Sequence, residues 1–238
     1  MKANIKLLIG SIYAISFSIL IYYIFSKFNL EDLTNLNLIK DNQQIVNNLK
    51  DNNITLLIII FFIFSLVWIL FLGFASPIAL LSGFIFGKWL GTLISVISFS
   101  LGCVALYLVA NLFFKDFIRK KLSNKIEKFL FLFKKNEFLY FMLFRFTGGG
   151  MPFAIQNILP VIFEMKVKNY FFATLFGIIP GIFIFNALGA GVDKFIGKNN
   201  SIIWSELIYD PEIYLPILSF LIILIITFFL KKKFFKND

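Results

Sequence analysis

Gly73-Phe74-Ala75-Ser76-Pro77 interrupts an apolar run that extends from residue 54 to residue 113, with Lys88 as its one charged side chain. As a single straight helix that run would measure about 90 Å. The hydrocarbon core of a bilayer is only about 30 Å thick, so the chain must fold back within it. Gly83, Gly87 and Gly91 supply further break points. The piece from Pro77 to Gly87 would rise about 16 Å as helix, too short to cross. The spacing predicts a re-entrant hairpin over residues 54–90, followed by one full crossing over 91–113.

The rest of the chain fits the same solvent. It has 238 residues, 59% of them hydrophobic and 15% charged, well above the apolar share of a soluble domain. Other lipid-length apolar runs cover residues 7–26, 169–192 and 213–230. The first ends in Tyr22-Tyr23-Ile24-Phe25-Ser26-Lys27 with no small-residue cleavage site, so it reads as a retained anchor. The net charge of +10 does not point to nucleic acid, because the basic residues gather beside apolar segments, at 115–135 and 231–236. That pattern marks inner-side loops and attraction to anionic lipid. It places the N- and C-termini in the cytoplasm of a bacterium's inner membrane, with the polar stretch 28–53 and the acid-leaning stretch 193–212 outside.

Crossing parity then constrains the second half. Lys135 and Lys168 both belong inside, so residues 138–167 must turn back. They break at Thr147-Gly148-Gly149-Gly150-Met151-Pro152, leaving arms of about 20 Å or less. A second re-entrant hairpin over 138–167 is predicted, entering from the opposite side, with a crossing over 169–190 kinked by Gly177 and Pro180-Gly181. Pro77 precedes Gly102 by the same number of residues as Pro152 precedes Gly177. Between the halves, Phe114, Ile118, Leu122, Ile126 and Phe133 recur at helical spacing among lysines. Residues 114–137 are therefore expected to form an amphipathic helix at the inner interface. The expected architecture is all-α and polytopic. An anchor and outer polar loop (1–53) precede a membrane domain (54–192) that is an inverted repeat of two hairpins, each followed by a crossing. An outer loop, a last helix (213–230) and a basic tail follow (193–238). Inverted repeats of broken helices commonly place a transport site near the bilayer midplane.

Arg145 is the most informative polar residue. It stands inside Phe138–Phe146, immediately before the glycine run. An arginine at the bilayer centre costs roughly 3 kcal/mol even on insertion scales, so it faces a bundle interior or a wet cavity. Two roles are open: pairing with a phosphate headgroup through its planar fork, or capping carbonyls at the broken helix. Gln156 and Asn157 can join a headgroup path or bond across helices. Gly148, Gly149 and Gly150 can offer backbone N–H groups to an anion or simply form the tip. Pro77, Gly83, Gly87, Gly91, Gly102, Pro152, Gly177, Pro180 and Gly181 are assigned to hairpins and close packing. No histidine is present, and no paired carboxylates, nucleotide loop or hydrolase triad appears. Neither catalysis, a cofactor nor a metal site is expected. Cys103 is the single cysteine and has no internal disulfide partner.

The order Pro77, Gly83, Gly87, Gly91-Thr92 and Gly102, then Phe144-Arg145, Pro152-Phe153, Asn157, Gly177, Pro180-Gly181 and Gly189, resembles the DedA-like VTT-domain membrane proteins. These are also called the SNARE-associated Golgi protein family. The resemblance covers roughly residues 68–195 and lies closer to the branch shared with eukaryotic Golgi and ER members. It implies opposed re-entrant hairpins and lipid translocation between leaflets, of phospholipid or of a polyprenyl-phosphate carrier. Arg145 matches the arginine that opens the second hairpin motif. The glycine run and Asn111 depart from the pattern. No carboxylate lies between residues 54 and 114, so movement without proton coupling is the expected mode. The alternative is a membrane-organising factor that recruits anionic lipid through residues 114–137 and 231–236. A small-solute channel ranks last, for want of a ring of charge. A homo-oligomer is compatible with either leading role.

Overall fold

A computed structural model describes residues 36–71, 73–113, 136–146 and 153–198, with scattered positions in 11–26 and 209–225. The expected amphipathic helix over 114–137, save for its last two residues, lies outside the described residues, as do Gly148, Gly149, Gly150, Pro152 and the basic tail. So do most residues of the first and last apolar runs. The described elements are α1 (Leu36–Leu70), α2 (Ala75–Phe113), α3 (Glu137–Phe146), α4 (Phe153–Phe163), α5 (Val167–Gly177) and α6 (Ile179–Lys198). Among the described residues there is no strand.

The outer part of α1 differs from expectation. Residues 36–52, read as a polar loop, are helical, and the helix kinks at Asn53 (φ −161°, ψ 81°). The Asn53 side chain accepts a hydrogen bond from the Leu56 amide at 3.0 Å. It thus acts as the N-cap of the apolar segment that follows. The composition of 36–52 hid this, because asparagines and paired charges are common on an exposed helix as well as in a loop.

α1 and α2 meet in a tight turn. The Gly73 amide donates to the Trp68 carbonyl at 3.0 Å, and the Trp68 indole donates to the Phe74 carbonyl at 3.0 Å. Phe61 and Phe86, nearly equidistant from that turn, bring their rings to 5.3 Å edge-on. The two arms therefore run antiparallel. Of the three expected break points Gly83, Gly87 and Gly91, the backbone reverses at Gly87, whose φ of 76° and ψ of 173° suit glycine alone. In a straight helix Ser82 and Gly91 would lie about 13 Å apart. Here the Ser82 hydroxyl donates to the Gly91 carbonyl at 3.0 Å, so the limbs on either side of Gly87 fold towards each other. By length and composition, 44–70 and 75–112 each suffice to cross a membrane, and α5 with α6, bent by 43°, would make a third crossing. The fold-back at Gly87 leaves 75–86 at about 18 Å, which is too short, and 88–112 long enough to span.

Phe99, Cys103, Tyr107 and Ala110, at helical spacing on α2, form the centre of the core with Phe141, Tyr170 and Ala173. α6 lies across both limbs of α2. A Cβ on Gly83 would enter the Asn186 backbone, and one on Gly189 would enter the Leu80 carbonyl. Gly91 faces the Asn186 side chain, Gly102 faces Leu66 and Ile69, and Gly177 faces Arg145 and Met142. Gly181, also expected among the hairpin and packing glycines, differs from them: a Cβ built there would meet nothing within 4 Å. The bend between α5 and α6 lies at Ile178.

α3 and α5 run side by side, tied at one end by Glu137. Its carboxylate accepts hydrogen bonds from the Asn169 amide at 2.5 Å and from the Lys166 backbone at 3.3 Å. It thereby satisfies a free N–H group at the start of α5 and complements the helix dipole. Glu137→Gln is expected to lower stability by about 1 kcal/mol, seen as a small drop in thermal midpoint in detergent. An unchanged midpoint would show that the tie contributes nothing.

Candidate functional site: a buried arginine held by neutral groups

Arg145 occupies the last turn of α3 and is 4% exposed. The helix carries it inward because Phe141, one turn earlier on the same face, is fully buried against Tyr170, with ring centroids at 5.3 Å. The guanidinium is enclosed on several sides. One terminal nitrogen, Nη2, donates to Asn157 Oδ1 at 2.5 Å and to the Tyr170 hydroxyl at 3.1 Å. The other, Nη1, reaches Gln156 Oε1 at 3.4 Å. Cys103 Sγ lies 3.8 Å from Nη2 and donates to Asn157 Oδ1 at 3.2 Å. The rings of Phe153 and Phe141 stand 4.9 and 5.1 Å from the guanidinium carbon, within cation–π range.

Three of the expected site residues, Arg145, Gln156 and Asn157, thus come together across the α3–α4 junction. Gly148, Gly149 and Gly150 lie outside the described residues. The sequence reading missed Tyr170, the two phenylalanine faces and the place of Cys103 in this cluster. Tyr170 had one legible signal: Tyr170, Thr174 and Gly177 share a face of α5, and that face lies on α3. Tyr107 completes the wall, with its ring 5.4 Å from Tyr170 and its hydroxyl donating to the Met165 carbonyl at 2.8 Å.

Among the described residues, every partner of the guanidinium is neutral. The amide, phenol and thiol oxygens and sulfur satisfy its terminal nitrogens but supply no negative charge. Two donors of the cluster remain unmet among the described residues: Arg145 Nε and Asn157 Nδ2 are both buried without a hydrogen-bond partner there. Each unmet buried donor costs about 1–3 kcal/mol. The cluster is therefore a positive charge with spare N–H groups in an apolar bundle, suited to the oxygens of an anion. No cluster of acidic, cysteine or histidine side chains able to hold a metal occurs among the described residues. Tyr170→Phe removes one bond to a charged group while keeping the ring. It is expected to cost about 1.5–3 kcal/mol of stability, read as a lowered thermal midpoint.

Comparison with known proteins identifies relatives by sequence. Residues 74–191 match the model of the VTT domain. The chain is 31% identical over 115 residues to the uncharacterized protein YqeD of Bacillus subtilis, covering 48% of this chain and 55% of that protein. The chain thus spans little more than half the length of that relative. It is 22% identical over 183 residues to a transmembrane protein 41 homolog of Caenorhabditis elegans, covering 74% and 70%. No solved structure matches it significantly. With its apolar helices, its antiparallel arms and a domain match that runs from the α1–α2 turn into α6, the chain belongs to the VTT-domain family of integral membrane proteins.

Proposed function

We propose that this chain moves phosphate-bearing lipids between the leaflets of a membrane, as a transporter and not as an enzyme. One observation carries the reading: a buried arginine whose partners among the described residues are all neutral and whose Nε finds no acceptor among them. A lone positive charge in an apolar interior is costly, and a lipid phosphate entering the bundle would neutralise it. The antiparallel arms at the α1–α2 turn, and the bonds from Arg145 to Gln156 and Asn157 that join α3 to α4, support the reading of two re-entrant hairpins that shorten the apolar barrier. The spare donors on Arg145 and Asn157 would then guide a phospholipid or polyprenyl-phosphate head past the narrowest point. No carboxylate faces the guanidinium among the described residues, which favours movement down a gradient without proton coupling. The charge bias of the sequence supports a bacterial inner membrane, with both termini cytoplasmic, as the location of this activity.

The test is transbilayer movement of a fluorescent phospholipid in proteoliposomes, with a reductant quenching the outer leaflet. Signal loss well beyond the outer-leaflet half supports transport. A plateau at one half with phospholipid and with a fluorescent polyprenyl phosphate alike would overturn it, in favour of the membrane-organising role.

A further inference from the structure

The groups around Arg145 differ in chemistry but not in charge. Asn157 Oδ1, the Tyr170 hydroxyl and Gln156 Oε1 accept from its terminal nitrogens, and Cys103 Sγ lies beside Nη2. The Phe141 and Phe153 rings stand close to the guanidinium carbon. Among the described residues the cluster therefore holds one positive charge, with neither a carboxylate nor a second cation in contact with it. Arg145 Nε and Asn157 Nδ2 are its spare donors. They belong to side chains bonded to each other at 2.5 Å, which keeps both within reach of the oxygens of one phosphate group.

A buried charge left uncompensated is costly whatever its sign. A phosphodiester with an uncharged head substituent, as in phosphatidylglycerol, carries one negative charge and brings the buried pair to net zero. A phosphomonoester carries about −1.5 to −2 at pH 7. Phosphatidic acid or a polyprenyl phosphate would therefore leave excess negative charge with no second cation in the cluster to meet it. A choline or ethanolamine head fails in the opposite sense. Its phosphate satisfies Arg145, but its ammonium finds no carboxylate, and the guanidinium faces the rings that could otherwise receive it.

We propose that the Arg145 site selects lipids by net charge, taking singly anionic phosphodiesters of the phosphatidylglycerol kind over zwitterionic phosphodiesters and dianionic phosphomonoesters. This selectivity rests on the transport reading above and narrows its substrate. It also predicts a pH dependence that belongs to the lipid. The titratable groups against the guanidinium are Tyr170 on α5 and Cys103 on α2, both of which ordinarily ionise above pH 8. α4 contributes only Phe153, Gln156 and Asn157 to the cluster. A phosphomonoester loses its second proton near pH 6, so mild acid turns it into the favoured monoanion while the site stays as it is.

The experiment uses the full chain in phosphatidylcholine vesicles, with acyl-labelled fluorescent phosphatidylglycerol, phosphatidylcholine or phosphatidic acid as the probe and a reductant quenching the outer leaflet. At about pH 7.5, phosphatidylglycerol is expected to cross about tenfold faster than either of the others. At about pH 5, phosphatidic acid should gain several-fold while phosphatidylglycerol is unchanged. Asn157→Asp puts a carboxylate of the same size against the guanidinium and cancels its charge. The rates for phosphatidylglycerol and phosphatidylcholine should then converge to within about twofold. Attraction of anionic lipid to basic surface residues would survive that substitution. Equal rates for the three lipids, or a preference that persists in Asn157→Asp, would overturn the selectivity and leave transport standing. A half-way plateau with all three would overturn transport itself, and the selectivity with it.

Discussion

Arg145→Gln is expected to slow transbilayer movement of a fluorescent phospholipid by about tenfold to a hundredfold, with little change in the thermal midpoint. Glutamine keeps an amide able to bond Asn157 and Tyr170 but removes the charge. A hydrogen bond to a charged group is worth about 1.5–3 kcal/mol, and each 1.4 kcal/mol is about a factor of ten. Arg145→Lys should rescue little. Its ammonium keeps the charge, but it cannot fork to Asn157, Tyr170 and Gln156 at once. The pattern separates the roles left open by sequence. If Arg145 only braces the break after α3, Arg145→Gln lowers the midpoint and transport falls no further than the folded fraction. Full transport by folded Arg145→Gln protein would sink the headgroup role.

The second large effect concerns packing. Gly83→Ala should destabilise the protein by about 3 kcal/mol or more, because the added methyl meets fixed backbone and not a side chain that can rotate away. Gly189→Ala should behave alike, since Leu80 and Phe84 backbone atoms occupy its space. Two other glycines on the same elements serve as internal controls. Gly181→Ala meets nothing and should be neutral or slightly stabilising. Gly87→Ala also meets nothing, but its φ of 76° should cost about 1–2 kcal/mol. Thermal unfolding followed by size-exclusion elution would rank the four variants. A harmless Gly83→Ala would mean that α6 does not cross α2 where the structure places it.

Much of this arrangement is legible in the residues. Chain length against bilayer thickness forces the breaks, and glycine and proline say where they fall. Arg145, Gln156 and Asn157 stand out because polar groups are expensive in such a run. Three features are less accessible. The reversal at Gly87, and not at Gly91, depends on a single backbone torsion that three evenly spaced glycines could equally supply. The helix over 36–52 is masked by a composition that suits exposed helix and loop alike. Tyr170 and Cys103 reach Arg145 only because helices distant in sequence cross at a particular angle, and neither residue departs from the apolar pattern around it. Asn186 is similar. It is fully buried, donates to its own helix at Ile182 and lies against Gly91, a crossing point that no local pattern announces.

The position of Cys103 gives the chain a reporter of its own. The thiol is wholly inaccessible and bonded into the arginine cluster, and no other cysteine competes for reagent. A small membrane-permeant maleimide can react there only after the helices part, so alkylation kinetics would time the opening of the bundle in the unmodified sequence. Adding lipid during the reaction would turn that clock into a direct readout of whether a headgroup occupies the interior, with no cysteine-free background to engineer first.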